Sequence, residues 1–466
     1  MKTTSLLPFF LAVTAGPNLA PACLTEIERH GGHILTSLHK RQDSPPLSND
    51  NTVPIGTGDR FNNGTLFPRG IGSRPYAQTQ GQNLTGITQL ETVYNVAEIK
   101  SALLGLQREY SSQVIYFELP HKTYQNATMF GAKVRSKIPK GQQSSNKGYR
   151  VLLEAAIHAR ERGGPDYTIN FVSDLLYADK HSLPNITYGG VSYPLSQVRT
   201  ALSLGIVIIP LVNPDGVSYD HSTNSCWRKN RNPLSSTPSE PYSIGIDLNR
   251  NFAPVWNFTN DLAPLDLPPA SFDPSSETFA GTAPLSEPET KNIDWAMASF
   301  PDLTWFLDLH SMATLVLYGW GHDSNQVTDP QMNLLNPIYD HKRGIIPDQL
   351  ISPSWGYKEY IPQAEWDASI LAAGHVASRM TDSTGRTYVA IQATSLYPTS
   401  GNSVDHGKWR KIAAKSKRSI NGLAVEFGVA NGEAECMFYP TAGMHRLNMI
   451  EVGVGLMELL GAAGRL

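Results

Sequence analysis

Apolar positions change their period along the chain. Val96, Ile99, Leu103, Leu106 and Tyr110 recur every three or four residues, which predicts an amphipathic helix over 96–110. Residues 114–119 and 130–134 then read as strands. Farther on, continuous apolar runs at 151–157, 206–212, 304–309, 389–393 and 423–427 alternate with helical patterns at 166–176, 287–299, 364–379 and 447–460. Runs that are apolar on both faces belong to strands covered on both sides. The pattern predicts an α/β fold: one large domain with a central mixed, mostly parallel twisted sheet covered by helices on both faces. There is no internal repeat, and the Pro-rich stretch 263–274 reads as a surface loop.

The N-terminal region differs in character. Lys2, a short apolar stretch at 6–13 and small residues at Ala15, Ala20 and Ala22 give residues 1–22 the layout of a secretory signal peptide. Lys40-Arg41 is a dibasic pair that would end a short pro-piece over 23–41. Residues 42–89, rich in Pro, Gly and Ser without apolar periodicity, read as a flexible leader before a catalytic domain at 90–466.

Composition narrows the classes. With 466 residues, 40% of them hydrophobic and 17% charged, the chain can bury a large core. A formal net charge of -3 points away from nucleic acid and from membrane surfaces, and no apolar run is long enough to span a bilayer. The chain is expected to be a monomer. Sequons at Asn63, Asn83, Asn126, Asn185 and Asn257 suit an exported, extracellular protein, since they accept glycans only in the secretory pathway. Cys23 would leave with the signal peptide or the pro-piece. Cys226 and Cys436 remain, either as one disulfide or as two buried thiols.

Candidate chemistry gathers where apolar runs end. His158 and Glu161 follow the first core run, His310 ends the third, and Glu426 closes the last. Ligands bind at the carboxyl edges of strands in open α/β sheets. Imidazole and carboxylate both suit Zn²⁺, and a catalytic zinc takes three protein ligands and keeps one position open. Any one of these residues alone would be an ordinary strand end; several at one edge form a candidate site.

Seven ordered segments give this edge a specific likeness. They are His158-Ala159-Arg160-Glu161, Trp227-Arg228-Lys229-Asn230-Arg231, Asp247-Leu248-Asn249-Arg250-Asn251-Phe252, Ser286-Glu287-Pro288-Glu289-Thr290 and Leu309-His310-Ser311, then Tyr397 eight residues before Asp405, and Val425-Glu426-Phe427. From about residue 90 to the end, the chain resembles the carboxypeptidase A-like zinc carboxypeptidases. The resemblance implies one Zn²⁺ held by His158, Glu161 and His310, with Asp247 orienting a ligand histidine. It makes Glu426 the general base and Arg231 the stabiliser of the oxyanion. It assigns the substrate's terminal carboxylate to Asn249, Arg250 and Tyr397, and more distant substrate contacts to Arg160 and Arg228.

The terminal side chain would meet Val404, the position of the family's main selector, together with Leu317, Gly321, Leu396, Thr399 and Ala424. None of these is charged, so the resemblance implies hydrolysis at the C-termini of peptides and proteins with hydrophobic or aromatic end residues. Two departures stand out. The region before residue 90 is too short and Gly/Pro-rich for the globular pro-domain of digestive members, and the stretch between Asp405 and Glu426 is basic and reads as a solvated surface excursion. Paired cysteines would brace the site by linking the loop before Arg231 to the segment after Glu426. A catalytically silent binding protein on the same scaffold and a zinc amidase or deacylase are the alternatives; the intact ligand set, base and carboxylate clamp argue against both.

Overall fold

The computed structural model describes residues 51–73, 92–265, 268–344, 356–414 and 418–465. The expected signal peptide, the pro-piece with Lys40-Arg41, and Cys23 and Asn83 lie outside these residues.

Helix α1 (Val96–Glu109) begins where the periodicity places it, because Asn95 and Glu98 form a reciprocal capping box. It buries Ile99, Leu103 and Leu106. Strands β1 (Val114–Lys122), β2 (Thr128–Val134) and β3 (Val151–Ala155) follow, then α2 (Gly164–His181). A small hairpin, β4 (Asn185–Tyr188) and β5 (Val191–Pro194), leads to α3 (Leu195–Ser203), β6 (Ile206–Ile209) and α4 (Pro214–Thr223). The short α5 (Phe258–Asp261) and α6 (Pro288–Ser299) precede β7 (Trp305–His310) and β8 (Leu315–Tyr318). The chain ends with β9 (Asn325–Gln326), β10 (Glu359–Tyr360), α7 (Gln363–Thr384), β11 (Val389–Gln392), α8 (Ser403–Ala413), β12 (Asn421–Glu426) and α9 (Ala442–Arg465).

Eight strands form one mixed sheet in the order β1-β2-β6-β3-β7-β12-β8-β11. Its centre, β6-β3-β7-β12, is parallel, whereas β2 on β6 and β8 on β12 are antiparallel. Side chains alternate between faces. Leu153, Leu307, Leu309, Leu423 and Val425 face a core shared with α2, α7 and α9. Leu152, Phe306 and Ala424 face the other side, against α6 and Val404 of α8. The register sets Ala155 beside Leu309 and His310 beside Glu426, so three strands end together at one edge.

Three expectations change. Residues 51–73 are not a flexible leader: Val53 and Phe61 are buried, the Val53 amide donates to the Pro440 carbonyl at 2.7 Å, and Asp174 accepts from the Gly72 and Ser73 amides. Few apolar residues suffice there, because side chains and backbone groups of the main domain satisfy the polar backbone. The basic stretch after Asp405 is largely α8, where Lys408 and Arg410 are buried; Lys408 donates to Asn421 at 2.7 Å, and Arg410 pairs with Asp294 at 2.9 Å. Lys415 and Lys417 lie outside the described residues. Helix α9 is long and apolar enough to cross a membrane, but most of it is buried inside the fold.

At Gly105 of α1, an added Cβ would collide with the Leu66 carbonyl oxygen. Glycine to alanine in an open helix stabilises by about 1 kcal/mol. Gly105→Ala is expected to do the reverse, destabilising by about 1–3 kcal/mol through overpacking. Thermal melting checks the sign, and limited proteolysis checks release of residues 51–73.

Candidate metal and catalytic site

The site grows from the turn after β3. Ala156 has a positive φ of 57° and Gly163 one of 104°, so the chain reverses between β3 and α2. Within that turn the Glu161 amide donates to the His158 carbonyl at 3.2 Å. The two side chains therefore converge, with His158 Nδ1 2.7 Å from Glu161 Oε1. From the end of β7, His310 Nδ1 approaches the other oxygen, Oε2, at 3.0 Å.

The far side of each imidazole is tied to a carboxylate. His158 Nε2 donates to Asp247 Oδ1 at 3.1 Å, and His310 Nε2 donates to Asp308 Oδ2 at 2.8 Å. With each Nε2 engaged by its own carboxylate, the two Nδ1 atoms are turned inward toward Glu161. Burial pushes the Glu161 carboxyl up, but His158 and His310 hold it well below the ordinary carboxylate range. Asp247 is likewise held low by Arg228 and His158 against its burial. The ligand atoms of His158, Glu161 and His310 all lie within 4.8 Å of one another. Two imidazoles and one carboxylate are the donor set of an open catalytic zinc site, so these residues fit the ion.

A cavity of about 160 Å³ opens over this cluster. Glu426, at the end of β12, lines it; burial pushes its carboxyl up to about 7, with the imidazole of His310 acting in the opposite direction. Arg228 lines it too, donating through Nε and Nη2 to Asp247 Oδ2 at 3.0 and 2.9 Å, with Nη1 3.9 Å from Glu161.

Arg231 does not reach the cavity: its guanidinium lies over the rings of Tyr219 at 3.7 Å and Trp227 at 4.4 Å. Of the two arginines it is therefore Arg228, not the expected Arg231, that faces the cavity. The reason is the choice of partner: Asp247 Oδ2 captures one arginine through two of its nitrogens, and two aromatic faces capture the other. Arg160 is also not among the lining residues; it pairs with Glu277 at 3.0 Å and stacks on Phe438, which does line the cavity.

Asn249, Arg250 and Tyr397 come together on the cavity wall, with Arg250 Nη2 3.5 Å from the Tyr397 hydroxyl. Leu317, Leu396, Thr399, Val404 and Ala424 line the same space. Gly321 does not; it supplies an amide to Asp405 Oδ2 at 2.9 Å. Asp405 itself lines the cavity, so the expectation of an uncharged pocket needs correction. That carboxylate also accepts from Asn402 Nδ2 at 2.9 Å and has the His322 ring 3.9 Å away, which offsets its charge locally. The two cysteines form a disulfide. It ties the residue two before Arg228 to the residue two before Phe438.

A zinc carboxypeptidase family model matches residues 99–447. The chain belongs to the zinc carboxypeptidase family. Human carboxypeptidase O is 30% identical over 284 residues, covering 58% of this chain and 66% of that protein. Zinc carboxypeptidase A 1 of Drosophila melanogaster is 30% identical over 207 residues, covering 44% and 40%. The chain thus spans less than two thirds of these relatives' own lengths. A solved thrombin activatable fibrinolysis inhibitor superposes with a TM-score of 0.57 at 19% identity, covering 83% of this chain and 79% of that one. The carboxypeptidase A of Helicoverpa armigera gives 0.57 at 18% identity, with 84% and 79% covered. At these identities the superpositions speak for the fold.

Against this zinc carboxypeptidase fold, sequence reasoning missed one close neighbour of the metal cluster. Asp308 holds His310 as Asp247 holds His158. The signal was present in Asp308-Leu309-His310, because residues two apart on a strand share a face. For the Asp247 contact, Asp247→Ala is expected to weaken zinc binding roughly 10- to 100-fold. Competition against a chromophoric chelator measures it; unchanged affinity would show that His158 needs no such support.

Proposed function

We propose that this chain is a secreted zinc metallocarboxypeptidase that hydrolyses the last peptide bond of peptides and proteins, preferring hydrophobic or aromatic end residues. What carries the reading is one cavity that holds the three candidate ligands, a base, a cation beside them, and an arginine–tyrosine wall leading to apolar side chains. A bound zinc supplies Lewis acidity toward the scissile carbonyl and water.

The protein's own groups do the rest. Glu426 takes the proton of the attacking water and returns it to the leaving amine, a task favoured by a carboxyl pushed up toward neutral pH. Arg228, fixed by Asp247, presents positive charge where the tetrahedral oxyanion develops. Arg250 and Tyr397, with Asn249, bind the terminal carboxylate and so restrict cleavage to chain ends. Leu317, Val404 and Ala424 receive the end side chain. A cationic end would be desolvated there, and Asp405 Oδ2 already accepts from Gly321 and Asn402. Export is supported by the N-terminal sequence layout, by the disulfide, and by exposed side chains at Asn63, Asn126, Asn185 and Asn257.

Mass spectrometry of mixed peptides incubated with the protein should show stepwise C-terminal loss that a chelator abolishes. Glu426→Gln is expected to lower kcat by about 10²–10⁴; internal cuts, or trimming that survives this change, would sink the reading. Peptides ending in Phe or Leu should be trimmed faster than those ending in Lys or Arg, and the reverse order would refute the pocket argument.

The two arginines separate cleanly. Arg228→Ala should cost about 10²–10³ in kcat, whereas Arg231→Ala should leave catalysis within a few-fold and act on thermal stability. Steady-state kinetics on both variants decides which one serves the oxyanion.

A further inference from the structure

Behind the metal cluster lies a pair of carboxyl groups that the proposed mechanism does not use. Glu154 on β3 and Asp308 on β7 are partners in parallel register. Both are fully buried, on the same sheet face as His310. Asp308 Oδ2 accepts from His310 Nε2 at 2.8 Å and from Ser403 Oγ at 2.7 Å. Asp308 Oδ1 and both Glu154 oxygens meet no donor among the described residues.

Three buried acceptor oxygens without a donor are costly, and two adjacent buried carboxylates cannot both be charged. One proton between them resolves both problems. Asp308 already accepts two hydrogen bonds through Oδ2 whereas Glu154 accepts none, so the proton belongs on Glu154. Burial and the neighbouring Asp308 charge act the same way, pushing the Glu154 carboxyl well above the ordinary range.

We propose that Glu154 is a positioning residue for the metal site, a neutral carboxylic acid whose O–H is donated to Asp308 so that Asp308 keeps its hold on His310. Glu154 touches neither substrate nor metal in this arrangement; it acts through Asp308 on a ligand histidine. The inference rests on the reading of His310 as a zinc ligand.

The test uses the full chain, zinc alone as probe, and chelator competition. Glu154→Leu keeps an apolar volume but offers no donor, and should weaken zinc binding roughly 10- to 100-fold. With zinc saturating, it should lower kcat and leave KM unchanged. Glu154→Gln still donates through its amide and should restore affinity to within about threefold of wild type. Its infrared spectrum at neutral pH should lose the C=O band of a buried carboxylic acid, a readout that holds even if Glu154→Leu fails to fold. Wild-type affinity in Glu154→Leu, or no lost band in Glu154→Gln, overturns the proposal while the metal reading stands. A wild-type chain that binds no zinc overturns both.

Discussion

Glu161 is only 5% exposed, yet each of its oxygens faces an imidazole nitrogen rather than water. Burial alone would drive this carboxyl to its neutral form; the two histidines make the charged form the stable one. Each histidine is in turn backed by a carboxylate, Asp247 or Asp308, so acid and imidazole alternate along one buried row. Such a row is costly if any member loses its partner. It therefore requires a frame that does not shift, and the ends of β3, β7 and β12 supply one.

The frame works because the sheet's faces differ. On one, α2, α7 and α9 bury a continuous apolar surface, including a final helix hydrophobic enough to suit a membrane. On the other, α6 and α8 cover the strands, while the turn after β3 and the loops bearing Arg228, Asn249, Arg250 and Tyr397 wall the cavity. The Cys226–Cys436 disulfide joins two of these otherwise irregular segments, the one that delivers Arg228 and the one that delivers Phe438. Irregular chain carries most of the cavity-lining groups, His158 and Glu161 included, while His310 and Glu426 sit at the ends of β7 and β12.

Much of this was legible beforehand. The apolar runs located five strands, four of them central, while the 389–393 run became β11 at the exposed sheet edge; helix 96–110 ended within one residue of its assigned limit. The antiparallel β8 was not foreseen, since four residues after a turn give too short a pattern to read. Residues 51–73 misled in the opposite direction: their composition is that of a loop, and only contacts with α1 and α2 reveal that they are packed. Lys408 and Arg410 misled likewise, because buried cations look like surface cations until Asn421 and Asp294 are seen beside them.

The sequence by itself determined which residue types stand at the strand ends, and hence the candidate ligands His158, Glu161 and His310 and the base candidate Glu426. Spacing and periodicity are local properties, and those residues sit at the limits of local patterns. Only the tertiary structure decided which of two arginines three positions apart faces the cavity, that Asp405 joins the pocket, and that Glu154 lies against Asp308. Each of these depends on a partner from a distant strand or loop. Pairing of buried charges is settled by distance in space, which one-dimensional spacing does not encode.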